Sequence, residues 1–520
     1  MSEQSKILLN AWIKHPISRR SLFASVAVGA LASTSIGRAL GVTSPVVNQV
    51  LGRPTNNSIA ISILTSENIS AYIEYGYTKT RYTGKSSTVS IQAGTPAVVD
   101  LVGLKENSKV YYRIRYKNTT SSSFDTANQY SFMTARKAGS TFTFSVQGDT
   151  HPERAGQMFN ADLYKVTMAN IVSQQPDFHI LLGDDFSIDP LLDKGQGTQS
   201  NIEKIYKTHR EWLSISGASV PIFLVNGNHE QAAAYLLDGT TSNPAVLAGN
   251  ARNKFYPLPA PNNFYTGDVT PVPGVGLLRD YYAWTWGDAL FISLDPYWHS
   301  KNAVDNVASS VPTVQDATTT TTTTTNKKGQ TKVSNKPAQG AGGSGKTVDL
   351  WSIGIGDEQY AWLKKTLESS KAKYKFVFAH HVMGTGRGAV EVSTNYEWGG
   401  VDPKGKTTFA KERPNWELPI HDLMVKNKVS AFFQGHDHIF VHQERDGLVY
   451  QSMPNPADDT FSMFNEDAYK TGTKAPNSGH VRVTISPSQA KVEYFLAARS
   501  IDSSRQNLSV AHSYVIKPKA

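Results

Sequence analysis

The feature that most constrains this 520-residue chain is a series of short polar motifs, each placed directly after a run of residues with strand character. Side chains at the carboxyl ends of strands in an α/β sheet converge on one edge, even when they are far apart in sequence. That edge is therefore expected to receive aspartate, asparagine and histidine side chains together. In chain order the five motifs are Gly148-Asp149-Thr150-His151, Gly183-Asp184-Asp185, Gly227-Asn228-His229-Glu230, Ala379-His380-His381 and Gly435-His436-Asp437-His438.

The segments between the motifs alternate between short apolar runs and longer helical patterns. Strands are predicted over 141–146, 178–182, 221–225, 289–294, 375–379 and 429–433, and helices near 159–174, 201–215, 357–370 and 419–427. Alternation of strand and helix favours a layered α/β domain, which we place at 139–500. Residues 481–485 and 491–495 indicate a closing β-hairpin, and 501–520 are assigned to a C-terminal tail.

The region before this domain has a different sequence pattern. Residues 58–65, 71–75, 98–102 and 110–116 alternate with the period of two expected of strands that have one buried face. About seven short strands separated by turn-rich stretches are typical of an immunoglobulin-type β-sandwich. The sequence therefore predicts a small all-β domain over 46–138, followed by the α/β domain.

The first 45 residues have the features of an export signal. Arg19 and Arg20 precede an apolar, small-residue run over 22–32 that ends in Ala30-Leu31-Ala32. The run is too short to span a bilayer and ends in a small-x-small cleavage pattern. The paired arginines resemble a twin-arginine signal, although Leu22 and Phe23 stand in swapped order. An ordinary secretory signal or an uncleaved anchor are the alternatives.

We therefore expect a periplasmic or extracellular protein with no transmembrane segment in the mature chain.

A low-complexity segment interrupts the α/β domain over about 302–346. It contains eight consecutive threonines, 318–325, and continues with sequence rich in lysine, glycine and serine. Such a segment has too few apolar groups to offset the entropy of ordering it, so we predict a disordered insertion.

Composition narrows the chemistry. The chain has no cysteine, which excludes disulfides, thiolate ligands and cysteine nucleophiles. Any metal must be held by histidine, aspartate, glutamate or asparagine, which suit zinc, manganese or iron. The net charge of +9 favours anionic partners, but the basic residues are spread along the chain.

The five motifs contain what a hydrolytic site with two metal ions requires. A carboxylate can bridge two cations, while imidazoles and an amide oxygen complete each coordination shell. Two cations also lower the pKa of a shared water, which yields hydroxide near neutral pH. One such motif alone is weak evidence, but five in order at strand ends indicate a shared metal centre.

The same series of motifs resembles the calcineurin-like metallophosphoesterase superfamily. The preceding β domain resembles the fibronectin-type module at the front of purple acid phosphatases. The resemblance implies a four-layer sandwich, in which two mixed sheets lie between layers of helices.

The resemblance also implies roles for individual residues, with Asp184 bridging two divalent or mixed-valence ions of iron, zinc or manganese. His229 would be the catalytic proton donor or charge stabiliser at the leaving oxygen. Ser187 replaces the tyrosine that gives purple acid phosphatases their colour, so no ferric chromophore is expected. The implied ligands are Asp149, His151, Asp184 and His438 for one metal, and Asp184, Asn228, His380 and His436 for the other.

Substrate contacts are less defined in the sequence. Arg387 is a candidate to bind a phosphate in bidentate fashion, with a solvated loop arginine as the alternative. His381 is a candidate for substrate contact or for support of its neighbour. The leading hypothesis is an exported phosphatase acting on phosphorylated small molecules. The alternatives are a phosphodiesterase or nuclease, with nucleic acid only as substrate, and a cell-surface binding protein with a vestigial site.

Overall fold

The computed structural model describes residues 46–302, 304, 319–325, 331–337, 350–382, 386–402 and 404–519. The predicted export signal lies outside the described residues, as does most of the threonine-rich insertion. Within that insertion, the backbones of Thr319–Thr325 and Thr331–Pro337 pair as two antiparallel strands. The predicted disorder of the insertion stays a prediction.

The N-terminal region is built from strands alone. Alternating burial along Lys109–Asn118 shows why: every second side chain enters the core and the others face outward. Isoleucines and valines from both sheets, such as Ile61 and Ile73, form one apolar core between them. The strands are β1 (Val47–Gly52), β2 (Ser58–Thr65), β3 (Ile69–Gly76), β4 (Gly84–Lys85), β5 (Val89–Ile91), β6 (Ala97–Val102), β7 (Lys109–Asn118), β8 (Asp125–Thr126) and β9 (Tyr130–Met133).

The larger region mixes strands with helices. Three of its longer helices begin at a polar cap, Asn160, Thr198 or Asn243. The Asn160 side chain, for example, accepts hydrogen bonds from the backbone N–H groups of Asp162 and Leu163, which satisfies donors that the helix itself cannot pair. The first half consists of β10 (Phe142–Gln147), α1 (Ala161–Gln174), β11 (His179–Leu181), α2 (Asp189–Asp193), α3 (Gln199–Gly217), β12 (Ile222–Leu224), α4 (Pro244–Phe255), β13 (Thr266–Gly267), β14 (Pro271–Val272), β15 (Gly276–Leu277), β16 (Tyr282–Trp286) and β17 (Ala289–Ser293).

The second half continues the same architecture after the insertion strands. It consists of β18 (Thr319–Thr325), β19 (Thr331–Pro337), α5 (Gly356–Ser369), β20 (Tyr374–Phe378), α6 (Tyr396–Gly399), α7 (Phe409–Glu412), α8 (Ile420–Lys426), β21 (Ala431–Gln434), β22 (Phe440–Arg445), β23 (Leu448–Ser452), β24 (Thr473–Ala475), β25 (Gly479–Ile485), β26 (Ala490–Leu496) and β27 (Val510–Ile516). No helix among the described residues is long and apolar enough to span a bilayer.

Two large sheets form the centre of the molecule. One has nine strands in the order β27-β26-β25-β10-β11-β12-β1-β2-β6, and the other has eight in the order β13-β16-β17-β20-β21-β23-β22-β24. An aromatic core lies between them: Phe144 meets Phe291 edge to face at 5.0 Å, and Phe223 stacks on Trp284 at 4.1 Å. Helices α1, α3 and α4 cover the outer face of the first sheet, and α5 and α8 cover that of the second. The predicted four-layer sandwich is therefore confirmed.

The strands that precede the five motifs lie in two groups of parallel strands, the second of which also contains β17. Strands β10, β11 and β12 are adjacent and parallel in the first sheet. Strands β17, β20 and β21 are adjacent and parallel in the second. Their carboxyl ends therefore lie along one edge of the layered domain, three motifs following the first group and two following the second.

Strands β1 and β27 are among those that were not predicted from the sequence, and both change the architecture. Strand β27 pairs with β26 at the edge of the nine-stranded sheet, so residues 501–520 are not merely a tail. Strand β1 pairs with β2 on one side and touches β12 at Gly52 and Ile222 on the other. The β1-β2-β6 sheet of the N-terminal region is thus continuous with the central sheet, and the two regions share one hydrogen-bonded layer.

Candidate metal centre

All seven side chains proposed as ligands lie together at the carboxyl edge of the two sheets. Each is buried, with no more than 3% of its surface exposed. We call this set the strand-end cluster. Its members are Asp149, His151, Asp184, Asn228, His380, His436 and His438.

One half of the cluster groups Asp149 with two imidazoles. His438 Nε2 lies 3.1 Å from Asp149 Oδ2 and 3.0 Å from His151 Nε2. His151 Nε2 is also 3.6 Å from Asp184 Oδ2. Four donor atoms from three loops therefore point at a common space.

The other half is organised around His380. Its Nε2 lies 3.1 Å from Asp184 Oδ2 and 3.0 Å from Asn228 Oδ1. His436 Nδ1 is 3.3 Å from the same nitrogen. Asp184 Oδ2 therefore stands between His151 and His380, one imidazole from each half.

The backbone at the cluster is unusual. Asp184, His151, His436 and His438 all have positive φ angles, between 48° and 66°. Residues other than glycine rarely adopt this left-handed conformation, and each costs about 1–3 kcal/mol unless the surroundings enforce it. Strain of this kind collects at functional sites, and here it turns four ligand candidates inward.

Two of the motif glycines are required by close approach. A Cβ atom on Gly435 would overlap Asp149 Oδ1, and one on Gly227 would overlap Asp184 Oδ1. The backbone of His436 instead comes close enough to donate to both Asp149 carboxylate oxygens at 2.9 Å. Glycine before the ligand thus lets one loop hold the carboxylate of another.

The outer nitrogens of two imidazoles have partners that fix the tautomer. His380 Nδ1 lies 2.7 Å from the carbonyl oxygen of Leu182, which can only accept, so Nδ1 carries the proton. His151 Nδ1 is 2.8 Å from Glu153 Oε1. Each ring therefore presents Nε2 to the cluster, as imidazoles that hold metals generally do. The donor set of carboxylates, imidazoles and one amide oxygen fits two borderline cations.

The electrostatics of the cluster favour positive charge. Burial alone would raise the pKa values of Asp149 and Asp184, but neighbouring histidines, His380 foremost, hold both below the usual range. Burial opposes the charging of His380, yet Asp184 and Asp149 raise its pKa to about 10. Burial lowers the pKa of His151 to about 4. His380 of the metal-free protein therefore holds a proton, and a cation that binds to its Nε2 would displace that proton.

Glu230 joins two of the motif loops. Its Oε2 accepts from the backbone N–H groups of Gly227 at 2.7 Å and Asp184 at 3.0 Å. Its Oε1 accepts from those of Asp185 at 2.8 Å and Phe186 at 3.1 Å. Burial and the nearby Asp184 raise the pKa of Glu230 to about 7. The sequence placed Glu230 beside a ligand, but only the fold shows that it holds both loops.

His229 lies at the mouth of the cluster. Its Nδ1 pairs with a carboxylate oxygen of Asp189, and its Nε2 lies 3.3 Å from Arg154 Nη2. Its backbone N–H donates to Asp184 Oδ1 at 2.9 Å. Burial opposes its charging, but Asp184 and Asp189 raise the pKa of His229 to about 10.

Arg154 was not identified from the sequence. It follows His151 by three residues, outside the Gly-Asp-x-His motif, and no pattern marks it. Its side chain is 15% exposed and also lies 3.4 Å from Glu153. A guanidinium beside His229 and open to solvent is placed to meet an anion that enters the cluster.

The two candidate substrate contacts, His381 and Arg387, both lie next to His436. His381 Nδ1 is 3.2 Å from the hydroxyl of Tyr297, and its ring stacks on His436 at 4.5 Å. Arg387 donates to the backbone carbonyl of His436 and lies 3.2 Å from Asp437 Oδ1. These contacts support the ligand loops, and a role in substrate binding stays a prediction for both residues.

A four-layer sandwich with this cluster at its strand ends defines a metallophosphoesterase, a hydrolase of phosphoesters. The family model for calcineurin-like phosphoesterases matches residues 142–440, and the chain belongs to that family.

Solved structures agree on the fold. A purple acid phosphatase, PPD1 from yellow lupin seeds, is similar at 14% identity and a TM-score of 0.55, over 92% of this chain and 75% of that one. The structure of PhoD is similar at 13% identity and a TM-score of 0.57, over 91% of this chain and 90% of that one. No curated protein sequence matches the chain significantly.

Proposed function

We propose that the protein is an exported phosphatase that hydrolyses phosphomonoesters of small molecules with two metal ions in the strand-end cluster. The observation that carries this proposal is the convergence of seven buried donor side chains, from five strand ends, around the carboxylate of Asp184.

The residues divide into two coordination shells that share Asp184. Asp149, His151 and His438 would complete one, and Asn228, His380 and His436 the other. When bound, two such cations supply a nucleophilic hydroxide from water at neutral pH and neutralise charge on the phosphoryl oxygens. Iron, zinc and manganese all suit this donor set.

His229 would act on the leaving group. Asp189 accepts from its Nδ1–H, so Nε2 is the nitrogen that faces the mouth of the cluster. A protonated imidazole there can donate a proton to the departing ester oxygen, which would otherwise leave as an alkoxide. Asp184 and Asp189 favour that protonated state.

Arg154 would bind the phosphoryl group. Its guanidinium lies beside His229 Nε2, where the non-bridging oxygens of a phosphoester would enter. Guanidinium groups bind phosphate through paired N–H donors, and the hydrogen bonds are strengthened by the opposite charges.

Export is proposed from the sequence alone. The Arg19-Arg20 pair followed by the apolar run over 22–32 supports a twin-arginine signal. That route carries folded proteins, which suits an enzyme that takes up its metals before export and needs no disulfide.

A phosphodiesterase or nuclease is the second candidate, which the net charge of +9 favours. Hydrolysis of p-nitrophenyl phosphate compared with its bis-ester, at matched metal, separates the two. Faster turnover of the bis-ester would replace the phosphatase proposal with the second candidate.

The metal mechanism is tested with Asp184→Asn, with metal content and hydrolysis measured on the same preparations. We expect the variant to lose bound metal, and to lose at least about 10³-fold in kcat, since both shells lose their shared charged ligand. A matched control is Asp193→Asn, at the end of α2 and outside the cluster. Full metal and full activity in Asp184→Asn would refute the bridging role.

A further inference from the structure

A second group of potential ligands lies outside the strand-end cluster. One ligand atom from each of Asp268, Asp280 and His299 lies within 4.8 Å of the others. We call these three residues the loop cluster. None of them belongs to the five motifs, and none is used in the proposed hydrolysis.

The local fold explains why the two carboxylates meet. Strands β13 and β16 pair antiparallel with Gly267 opposite Tyr282, and the pairing continues as Asp268 N–H donates to the Tyr281 carbonyl at 3.2 Å. Asp268 therefore leaves one strand where Asp280 enters the other. His299, in the loop after β17, completes the group with its Nε2 at 2.9 Å from Asp280 Oδ2.

One oxygen of this group is buried without a hydrogen-bond partner. Asp280 is fully buried, and its Oδ1 accepts no hydrogen bond from the described residues. A buried acceptor left unpaired is costly, and a buried carboxylate oxygen more so. This atom belongs to the carboxylate that binds His299 and faces Asp268, which is where a ligand would satisfy it.

Charge balance points to the same conclusion. No lysine or arginine of the described chain forms an ion pair with Asp268 or Asp280, and His299 is the single cationic partner. Burial and Asp280 together raise the pKa of Asp268, which is the response of a carboxylate short of positive charge. The third nearby acid, Asp295, adds to the negative charge.

We infer that the loop cluster is a second cation site, for a single divalent first-row ion such as Zn²⁺, bound by Asp268, Asp280 and His299. Calcium prefers six to eight oxygen ligands, whereas two carboxylates and an imidazole suit zinc, with water in the remaining position. The His299 side chain is 17% exposed, which leaves a route for the ion and the water.

The site has a structural consequence for the loop that carries Asn228. Asp295 Oδ2 accepts from the side-chain amide of Asn226, and its Oδ1 accepts from the backbone N–H of Tyr297 at 2.7 Å. A cation at the loop cluster would offset the repulsion between Asp280 and Asp295. The cation would thus add to the stability of the fold around Asp295 and would take no part in the reaction.

The test counts zinc in the full-length protein after saturation with ZnCl₂ and gel filtration. The wild-type protein should hold one more equivalent than Asp280→Asn or His299→Gln, while phosphoester hydrolysis by the variants stays at the wild-type rate. Equal zinc content in the wild-type protein and both variants would overturn the inference.

A matched control is His421→Gln. His421 also pairs with an aspartate, Asp446, at 2.9 Å, but its other nitrogen is hydrogen-bonded to Tyr450 at 2.8 Å. This variant should keep the wild-type zinc count, and loss of zinc here as well would refute assignment of the lost ion to the loop cluster.

A measurement on the wild-type protein needs no variant. Crystals of the zinc-saturated protein should show an anomalous difference peak at the zinc edge between Asp268, Asp280 and His299, and its absence would overturn the inference. Both readouts are independent of hydrolysis, so failure of the phosphatase proposal and failure of this site are distinguishable.

Discussion

The strand-end cluster and the loop cluster use the same kinds of side chain in different settings. The first follows five buried strands, so sheet register sets the position of each ligand. The second is formed where two short strands end and a loop returns to them. In the first, each carboxylate faces several imidazoles, whereas in the second Asp280 keeps an unpaired oxygen. The ligands of the strand-end cluster are therefore positioned by regular secondary structure, and those of the loop cluster by loops.

Replacement of one histidine in each cluster tests this difference with the largest expected effect. His229 and His299 both pair with an aspartate, Asp189 and Asp280 respectively. We expect His229→Gln to lower kcat by about 10²–10⁴-fold, the usual contribution of a general acid. His299→Gln should leave kcat unchanged. The measurement is steady-state hydrolysis with metal content checked for each protein, and equal effects would abolish the distinction.

Glu230 tests whether register alone positions the ligands. Replacement by glutamine puts an NH₂ group in place of one carboxylate oxygen, against two of the four backbone donors, so the loops that carry Asp184 and Asn228 should loosen. We expect Glu230→Gln to weaken metal affinity by about 10–100-fold, as losses of ligand support commonly do. Competition with a chelator measures this, and Glu203→Gln, which removes a surface pair with Lys254, is the control. An unchanged metal affinity would show that the strands position the ligands without help from Glu230.

The pH dependence of metal binding separates the two halves of the strand-end cluster. The pKa of His380 is raised to about 10, so at pH 6–8 the metal-free protein holds a proton there that a cation must displace. The pKa of His151 is lowered to about 4, so this ring is already neutral. Apparent affinity for the shell of His380 should therefore fall about tenfold for each pH unit lowered.

Calorimetry in buffers of different ionisation enthalpy measures the proton released. We expect close to one proton for the shell of His380 and none from His151. Release of protons in equal amount from both shells would contradict the assignment.

The smallest expected effect concerns Arg154. Arg154→Ala should raise KM by about fivefold, which corresponds to roughly 1 kcal/mol of lost hydrogen bonding to the phosphoryl group. Arg53→Ala, which removes an exposed pair with Asp100 in the N-terminal region, should leave KM unchanged. A fall in kcat with KM unchanged would place Arg154 on the transition state rather than on substrate binding.

Much of the fold follows from local pattern. The predicted run 58–65 coincides with β2, and the predicted helix 357–370 lies within one residue of α5, because apolar periodicity reports which side chains must be buried. Strand β27 was missed because its hydropathy does not follow its burial: Val510 and Val515 are apolar but exposed at the sheet edge. The continuity of β1 with β12 depends on a single tertiary contact that no local pattern contains.

The amino-acid sequence by itself determined the class of chemistry. It has no cysteine, and five motifs place carboxylate, amide and imidazole donors after strands, which restricts the chain to a metal centre of hard and borderline ligands. The order of those motifs also carries the family resemblance, because order along the chain is visible without coordinates.

Only the tertiary structure decided which neighbours act on that chemistry. Glu230 spans two loops, Arg154 reaches His229, and Asp280 meets His299, and each of these contacts depends on how elements distant in sequence pack together. Their residue types are common on any protein surface, so spacing alone cannot mark them. Packing decides whether such a residue is buried and where its side chain points. These two properties make an ordinary charged residue part of a site.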